Sequence, residues 1–473
     1  MRVNARLLSV ALAGFSLTAC AVGPTYHAPA AIPDTAGPFA SAMGPATAAV
    51  APPADWWRLY QDPVLDGLVQ QALTENTDLK VAAANLAYAQ ALEGEARAGF
   101  FPSTTLSGGV PYGKTAPATS AHTTYDAGFV AAYQVDLFGR IRRGAEAARA
   151  NSQAARAAQD AVRVTVAAKT AGAYANVCAY AEAAQVARQS VEINQQAYDI
   201  LVRQRAIGAV SDLDMARQAT LLDQARAAAP GLEGQRRAAL FELAVLTGKP
   251  PADIPAQAAA CTTPPRLSQA IPVGDGASLL RRRPDVREAE RQLAAATARI
   301  GVATADLFPT VSLGGSVSSS ASNISGLGRP ASVSYSLGPL ISWSFPNILV
   351  ARAHIKESSA QASAALAGFD GAVLQALKEA EQSLTAYQAE LERHDALVSA
   401  QAHAAEAYRL AQTQYRLGAI SFLDLLTAQS TLTSADQALA ASDQLLSADQ
   451  VALFQALGGG WQDAPRVTPP KAG

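Results

Sequence analysis

The chain has little charge, few aromatic rings and almost no sulfur. Asp, Glu, Lys and Arg together make 16% of its 473 residues and leave a formal net charge of −2, so no basic surface exists to attract nucleic acid. Aromatic residues make 6%, too few for a bulky globular core, whereas abundant alanine suits long helices packed at close range. Beyond the first twenty residues no stretch offers about 18 uninterrupted apolar residues, which excludes a transmembrane helix in the remainder. A membrane span there must be made of strands. No Gly-x-Ser-x-Gly, phosphate loop or Cys-x-x-Cys occurs, and His27, His122, His354, His394 and His403 are scattered without metal-ligand spacing. Neither a catalytic, a cofactor nor a metal constellation is expected.

What is present begins with a leader. Arg2 and Arg6 precede an apolar run from Leu7 to Leu17, and the stretch closes on Leu17-Thr18-Ala19-Cys20. The run is too short to cross a bilayer and reads as a signal segment, residues 1–19. A small residue before a cysteine, just after an apolar core, is what a lipoprotein signal peptidase needs. Cys20 is therefore expected to start the mature chain and to carry acyl groups; the competing reading is an ordinary cleaved signal peptide. Ala21 is not aspartate, so the signal that retains lipoproteins in the inner membrane is absent. Cys178 and Cys261 remain, an even number in an oxidising compartment. They can form a disulfide or stay as two unrelated buried thiols, and spacing alone does not decide.

The chain is written twice. Asp78, Phe101-Pro102, Leu106 and Phe138 recur as Asp285, Phe308-Pro309, Leu313 and Phe345, each 207 positions later. Tyr198, Gly208-Ala209-Val210-Ser211, Leu213-Asp214 and Gly248 recur as Tyr408, Gly418-Ala419-Ile420-Ser421, Leu423-Asp424 and Gly458, now 210 positions later. This divides the chain into an extended N-terminal segment 20–61, a first repeat 62–248, a connection 249–276, a second repeat 277–458 and a tail 459–473. The connection is rich in Pro, Ala and Thr and reads as a surface strap.

Each repeat predicts the same elements in the same order. A helix over Thr77–Gly99 or Pro284–Asp306 is stopped by the Phe-Pro pair. Two strands follow, near Thr104–Val110 with Tyr125–Asp136, and Val311–Ser318 with Ser332–Trp343. A very long helix, Arg140–Ala206 or Ile348–Leu417, then turns at glycine into a returning helix, Leu213–Leu246 or Leu423–Leu457. Tyr125, Ala127, Phe129, Ala131, Tyr133 and Val135 fall on one strand face, as do Val333, Tyr335, Leu337, Ile341 and Trp343 on another. Such alternation over about 10 residues marks a lipid-facing barrel strand, although a half-buried soluble strand has the same period. The signal segment and the want of a soluble β-domain favour the barrel. Four strands cannot close one, so the chain must oligomerise: a dimer gives eight strands, a trimer twelve with a comfortable lumen.

About 68 helical residues reach on the order of 100 Å. In the second long helix Leu366, Phe369, Val373, Leu377, Ala380, Leu384, Tyr387, Leu391 and Val398 step mostly by 3 and 4, a coiled-coil seam. The expected fold is mainly α with membrane β-strands. Long helices hung from the strands make a conduit, and three copies with four strands each would supply twelve strands.

Longer motifs add a family resemblance. They are Cys20-Ala-Val-Gly-Pro-Thr-Tyr26, Trp56-Trp57-Arg58-Leu59-Tyr60 with Asp62-Pro63, and Asp136-Leu137-Phe138-Gly139-Arg140. To these are added Arg281-Arg282-Arg283-Pro284-Asp285-Val286, Gly301-Val-Ala-Thr-Ala-Asp-Leu-Phe-Pro309, and Tyr415-Arg416-Leu417-Gly418 with Ala428-Gln429. Together they resemble the outer-membrane factors of the TolC superfamily, in the lipidated, NodT-like branch, over nearly the whole mature chain. The resemblance implies a homotrimer lodged in outer-membrane lipid, in which the duplicated helical hairpins form an α-barrel and four strands per chain contribute to a twelve-strand transmembrane β-barrel, docked to a periplasmic adaptor (a membrane fusion protein) and an RND-type inner-membrane transporter. It implies passive export of small molecules, with no enzyme activity, no cofactor and no nucleic acid.

The resemblance also gives the two turns a role. Arg205, Gly208, Ser211, Arg416, Gly418 and Ser421 are implied to lie at the periplasmic tip that meets the adaptor, while also acting as helix caps. Asp424 matches the first of two family aspartates around a closed aperture, and can equally be the acid of a capping box with Ser421. The second family position is Thr427, a departure that leaves one acidic ring per trimer and predicts weaker cation preference. Two other readings remain: the outer channel of a protein-secretion system, and a non-transporting coiled-coil periplasmic lipoprotein or adaptor. The signal sequence and NodT-like motifs favour small-molecule efflux, and the duplicated hairpins disfavour an adaptor.

Overall fold

The computed structural model describes residues 21–30, 33, 35–42, 46–114, 120–343 and 348–469. The leader and the lipidation expected at Cys20 lie outside the described residues. The chain divides into two compact units. One takes Asn85–Arg156, Glu288–Asp370 and the chain up to Ala30; the other takes Ala31–Ala84, Ala157–Arg287 and Gly371 onward. Among the described residues no helix is long and apolar enough to cross a membrane.

The first unit is built on a four-stranded antiparallel sheet: β1 (Ser103–Gly109), β2 (Tyr125–Val135), β3 (Thr310–Ala321) and β4 (Val333–Ser342), in that order across the sheet. The register puts the two repeats side by side through the β2–β3 pair, with Phe129 opposite Val317 and Val135 opposite Val311. Because side chains alternate, Leu106, Phe129, Val317 and Tyr335 form one row across all four strands. Leu106 and Tyr335 are each 82% exposed, so this apolar face has no cover among the described residues. The opposite face carries hydroxyls. Ser316 faces Ser336 and Ser318 faces Ser334, each pair 2.8 Å apart. Val130 and Leu340 interrupt it.

The strands give way to helices through short-range chemistry. The Asp136 carboxylate accepts from the amides of Ile141 and Arg142, at 3.1 and 2.8 Å, and so caps the long helix α3 (Arg140–Ala206). Phe138 stacks on Phe308 with centroids 4.5 Å apart. Arg140 reaches Asp306 at 2.6 Å, just past the end of helix α6 (Pro284–Ala305).

In the second unit, helix α1 (Pro63–Glu75) starts at a proline behind Asp62, whose side chain accepts from Val64 and Leu65. Helix α2 (Thr77–Ala98) and the returning helix α4 (Asp212–Leu246) complete the helices of the first repeat. The second repeat adds α5 (Gly276–Arg282), α7 (Ile348–Arg416) and α8 (Phe422–Ala456). The core gathers Trp56, Leu65, Leu243, Leu384 and Phe454, with Trp56 stacked on Phe454 at 4.6 Å.

The duplication extends to hydrogen bonding. Asn76 donates to the Leu246 carbonyl at 3.0 Å, and its counterpart Arg283 donates to the Ala456 carbonyl at 2.9 Å. Each closes the start of a repeat onto the end of its returning helix. The guanidinium of Arg283 also binds Asp285 at 2.6 Å and Glu379 at 2.7 Å, which is how a buried cation is kept satisfied.

The connection 249–276 is exposed or half-exposed over most of its length but is pinned down at several points. Ala258, Ile271 and Val273 enter the core. Ile271–Pro272 pairs in parallel with Thr47–Ala48, and Arg266 reaches Asp443 at 2.7 Å. Cys178 and Cys261 are joined by a disulfide with Cα atoms 5.0 Å apart, which ties the connection to α3. Composition concealed this, because the apolar residues there are sparse and carry no period.

Candidate functional site at the paired helix turns

Both long helices end by the same backbone device. At the first turn Gly208 has φ 73°, and the Ala209 amide returns to the Gln204 carbonyl at 2.9 Å. At the second, Gly418 has φ 72°, and the Ala419 amide returns to the Gln414 carbonyl, also at 2.9 Å. A β-carbon at either glycine would meet nothing within 4 Å. The left-handed backbone, and not crowding, therefore calls for glycine.

The helices that follow are capped alike. Ser211 and Ser421 stand at the N-caps of α4 and α8 and form capping boxes with Asp214 and Asp424. Asp424 receives the Ser421 hydroxyl at 2.6 Å and the Ser421 amide at 3.0 Å. These bonds, led by the hydroxyl, hold its carboxyl below the usual carboxylate range. Asp424 and Thr427 are both exposed, and Thr427 donates back to the Leu423 carbonyl at 2.8 Å.

The turns lie against each other. Leu201 and Met215 of the first hairpin pack with Phe422 and Leu425 of the second. Tyr415 donates to Gln204 at 2.9 Å and meets Phe422 edge-on at 5.8 Å. Arg205 pairs with Asp212 at 2.8 Å on the exposed side of the first turn, and Arg416 is likewise exposed. Beside the cluster runs a groove of about 310 Å³ with Ile200, Gln204, Tyr408, Gln412 and Arg416 in its walls. Its lining mixes amide and apolar groups with the Arg416 guanidinium, which suits contact with another helix.

Beneath the turns sits a knot of buried amides that pattern reading passes over. Gln218 donates to the backbone and side-chain oxygens of Asn194, and Gln429 donates to the Asn194 side chain at 2.8 Å. All three are at most 3% exposed. They join α3, α4 and α8. A polar residue on a helix carries no local sign of burial, so the sequence offers no signal for them.

The sequence-predicted residues thus fall into one place and two outliers. Arg205, Gly208, Ser211, Arg416, Gly418, Ser421, Asp424 and Thr427 belong to the paired turns. Cys178 and Cys261 belong to the bridge, and Cys20 is outside the described residues. Among the described residues no group of three or more His, Cys, Asp or Glu is assembled as a metal site. His394 instead meets Asp443 at 3.0 Å.

Known proteins match this architecture along its length. A family model described as "Outer membrane efflux protein" matches residues 68–249 and 277–459, once per repeat. "Antibiotic efflux pump outer membrane protein ArpC" of Pseudomonas putida is 31% identical over 472 residues, covering 97% of this chain and 96% of that protein. "Nodulation protein T" of Rhizobium leguminosarum bv. viciae is 32% identical over 467 residues, covering 98% and 95%. The solved structure of the outer-membrane channel OprN superposes with a TM-score of 0.88 at 34% identity, over 94% of this chain and 100% of that one. The open-state Neisseria gonorrhoeae MtrE channel gives 0.82 at 26% identity, over 93% and 99%.

Proposed function

The chain belongs to the outer membrane efflux protein family, and from that premise we propose that it works as a trimeric, lipid-anchored, gated duct for small toxic molecules. It is the outer-membrane channel component of a tripartite efflux pump, with a large periplasmic part. The proposal adds the copy number, the lipid on Cys20, the partners and the parts played by individual residues.

The observation that carries the trimer is the sheet. Its edge strands β1 and β4 have no further partner among the described residues, and its apolar face is bare. Hydrocarbon does not tolerate an open sheet edge, so copies must supply the missing neighbours. Three copies give twelve strands, with hydroxyls inward and the Leu106–Tyr335 row toward lipid. The paired turns are the surface offered to a periplasmic adaptor, and the adaptor couples the duct to an RND-type inner-membrane transporter. Asp424 stands at the aperture as one acidic group per chain, with Thr427 in place of a second. The duct performs no catalysis; the energy for export comes from the inner-membrane partner.

Purified outer-membrane fractions test the assembly: a heat-modifiable trimer is expected, and a soluble monomer overturns it. A deletion strain screened against antibiotics, dyes, metals and aromatic acids tests the transport role. Sensitivity in the deletion strain, with tolerance restored by the intact gene, is expected; unchanged tolerance to every class overturns export of small molecules.

A further inference from the structure

The first described residues of the chain run through a slot in the strand-bearing unit that fits them closely. The Val22 amide donates to the Phe138 carbonyl at 3.2 Å. Arg143, whose side chain is 6% exposed, donates to the carbonyls of Val22 and Gly23 at 3.3 and 3.4 Å and to the Thr25 hydroxyl at 3.4 Å. Its remaining charge is met by Glu146 at 2.8 Å. Tyr26 then donates to Glu290 at 2.6 Å, beneath the guanidinium of Arg291 at 5.7 Å from the ring centre. Its ring packs on Ala150, Ala294 and Ala295.

Two contacts show that the fit is tight on both sides. Gly23 has φ 87°, and a β-carbon there would stand 2.5 Å from the Gly301 Cα. A β-carbon on Gly139 would stand 2.7 Å from the Ala21 Cα. Backbone meets backbone at both points, and neither can yield as a flexible side chain would. An ordinary surface leader needs none of this; chain termini are poorly ordered unless something ties them down.

We propose that Gly139, Arg143, Glu290 and Gly301 form a seat for Ala21–Tyr26 that fixes where the acylated Cys20 enters the membrane. This rests on the reading that Cys20 is lipidated. Cys20 is one peptide from Ala21, about 3.8 Å between Cα atoms. Ala21 lies on Gly139, four positions past the end of β2, where the apolar strand face stops. The acyl chains therefore leave the protein beside the strand–helix junction and not at the end of a loose tether. A seat without slack raises the effective concentration of the strands at the bilayer once the lipid has inserted. Arg143 and the glycines act here as positioning residues. They do not contact cargo.

Chymotrypsin offers a direct probe, because the Tyr26–His27 bond is cut only when Tyr26 leaves its place. Outer-membrane fragments carrying the full chain, opened so that the periplasmic face is accessible, would be digested briefly and the N-terminal peptide followed by mass. Gly23→Ala is the main variant, since it alters the seated segment and leaves the body of the protein intact; Arg143→Ala alters the seat. Both are expected to raise cleavage after Tyr26 by about tenfold, as loss of a few cooperating hydrogen bonds does, while the released peptide keeps its lipid. Cys20→Ser is expected to stay protected, since the seat holds polypeptide. Unchanged cleavage in both Gly23→Ala and Arg143→Ala overturns the seat, as does loss of protection in Cys20→Ser. A wild-type peptide without lipid overturns the lipidation and with it the anchoring role, while the ratio of cleavage rates still reports the seat.

Discussion

The two turns at the ends of the long helices use one backbone plan and two kinds of support. In the first, the residue after the capping serine is Asp212, and it faces Arg205 in the open. In the second, that residue is Phe422, which is buried among Leu201, Met215 and Leu425. Tyr415 reinforces the second turn by holding Gln204 across the hairpins. One turn is thus closed by a screened ion pair, the other by a packed ring. A capping serine and a left-handed glycine suffice to reverse the chain, and the adjoining positions are free to diverge. The second turn carries the packing for both.

That comparison is most sharply broken at Phe422. Phe422→Ala removes a buried ring and should cost roughly 3 kcal/mol, felt in both hairpins because the cluster spans them. Hydrogen exchange across residues 198–215 and 408–426 should speed up in both stretches. Asp212→Ala, at the equivalent position, should cost less than about 0.5 kcal/mol and leave exchange nearly unchanged. Equal loosening by the two substitutions would show that the ion pair bears as much as the ring, and the contrast would collapse.

The amide knot comes next in size. Asn194→Ala deprives Gln429 of its acceptor and leaves Gln218 only the backbone carbonyl at that position, while all three sites remain buried. Leaving the buried Gln429 donor unpaired should cost about 2 kcal/mol. The loosening should appear in α3, α4 and α8 together in hydrogen exchange. If α8 alone responds, the knot does not bind the two hairpins into one tip.

The glycines test the shared half of the plan. Gly208→Ala and Gly418→Ala each force a β-carbon onto left-handed backbone with open space around it, so each should cost about 1 kcal/mol, and equally. Thermal unfolding of the two single variants should therefore coincide. A large difference would mean that the supports, and not the backbone plan, decide what each turn tolerates.

How far these features could be read in advance follows from the range of the interactions behind them. The bounds of α3 agree with the expected helix from Arg140 to Ala206, because Asp136, Gly139 and Gly208 are local stop and start signals. Strands β2 and β4 follow from a two-residue period, whereas the structure adds the register and carries β3 to Ala321, three residues past the expected end at Ser318. Trp56 was visible as part of a motif, but its partner Phe454 lies some four hundred positions away and no local pattern points to it. Asn194, Gln218 and Gln429 read as ordinary polar positions on helices with a wet face. Only packing shows that water does not reach them. The seat for Ala21–Tyr26 was equally hidden, since a close approach of Gly23 to Gly301 has no signature in either neighbourhood. Interactions within one turn of helix were legible; those that join the two repeats were not.

The smallest expected effect on stability, at Asp424, separates two roles that sequence reading left side by side. Its carboxylate completes the capping box and carries the charge assigned to the aperture. Asp424→Asn keeps an oxygen for the Ser421 hydroxyl and amide but removes the charge; Asp424→Ala removes both. Hydrogen exchange at the second turn should thus rise only in the alanine variant. In single-channel recordings at neutral pH, cation block should weaken in both variants if the charge serves the aperture. The pH dependence runs the same way. The carboxyl is held below its ordinary value in the folded chain, so its stabilising contribution is full above the unfolded value of about 4 and is lost as pH falls through the lower folded value. Exchange at the second turn should therefore be indifferent to pH from 7 to about 5, after correction for intrinsic rates, and accelerate only in stronger acid. Ser421→Ala removes the first cause of the depression and should move that onset upward. If block is unchanged in Asp424→Asn while the turn stays closed, the acid is a cap and nothing more, and the two turns differ in packing alone.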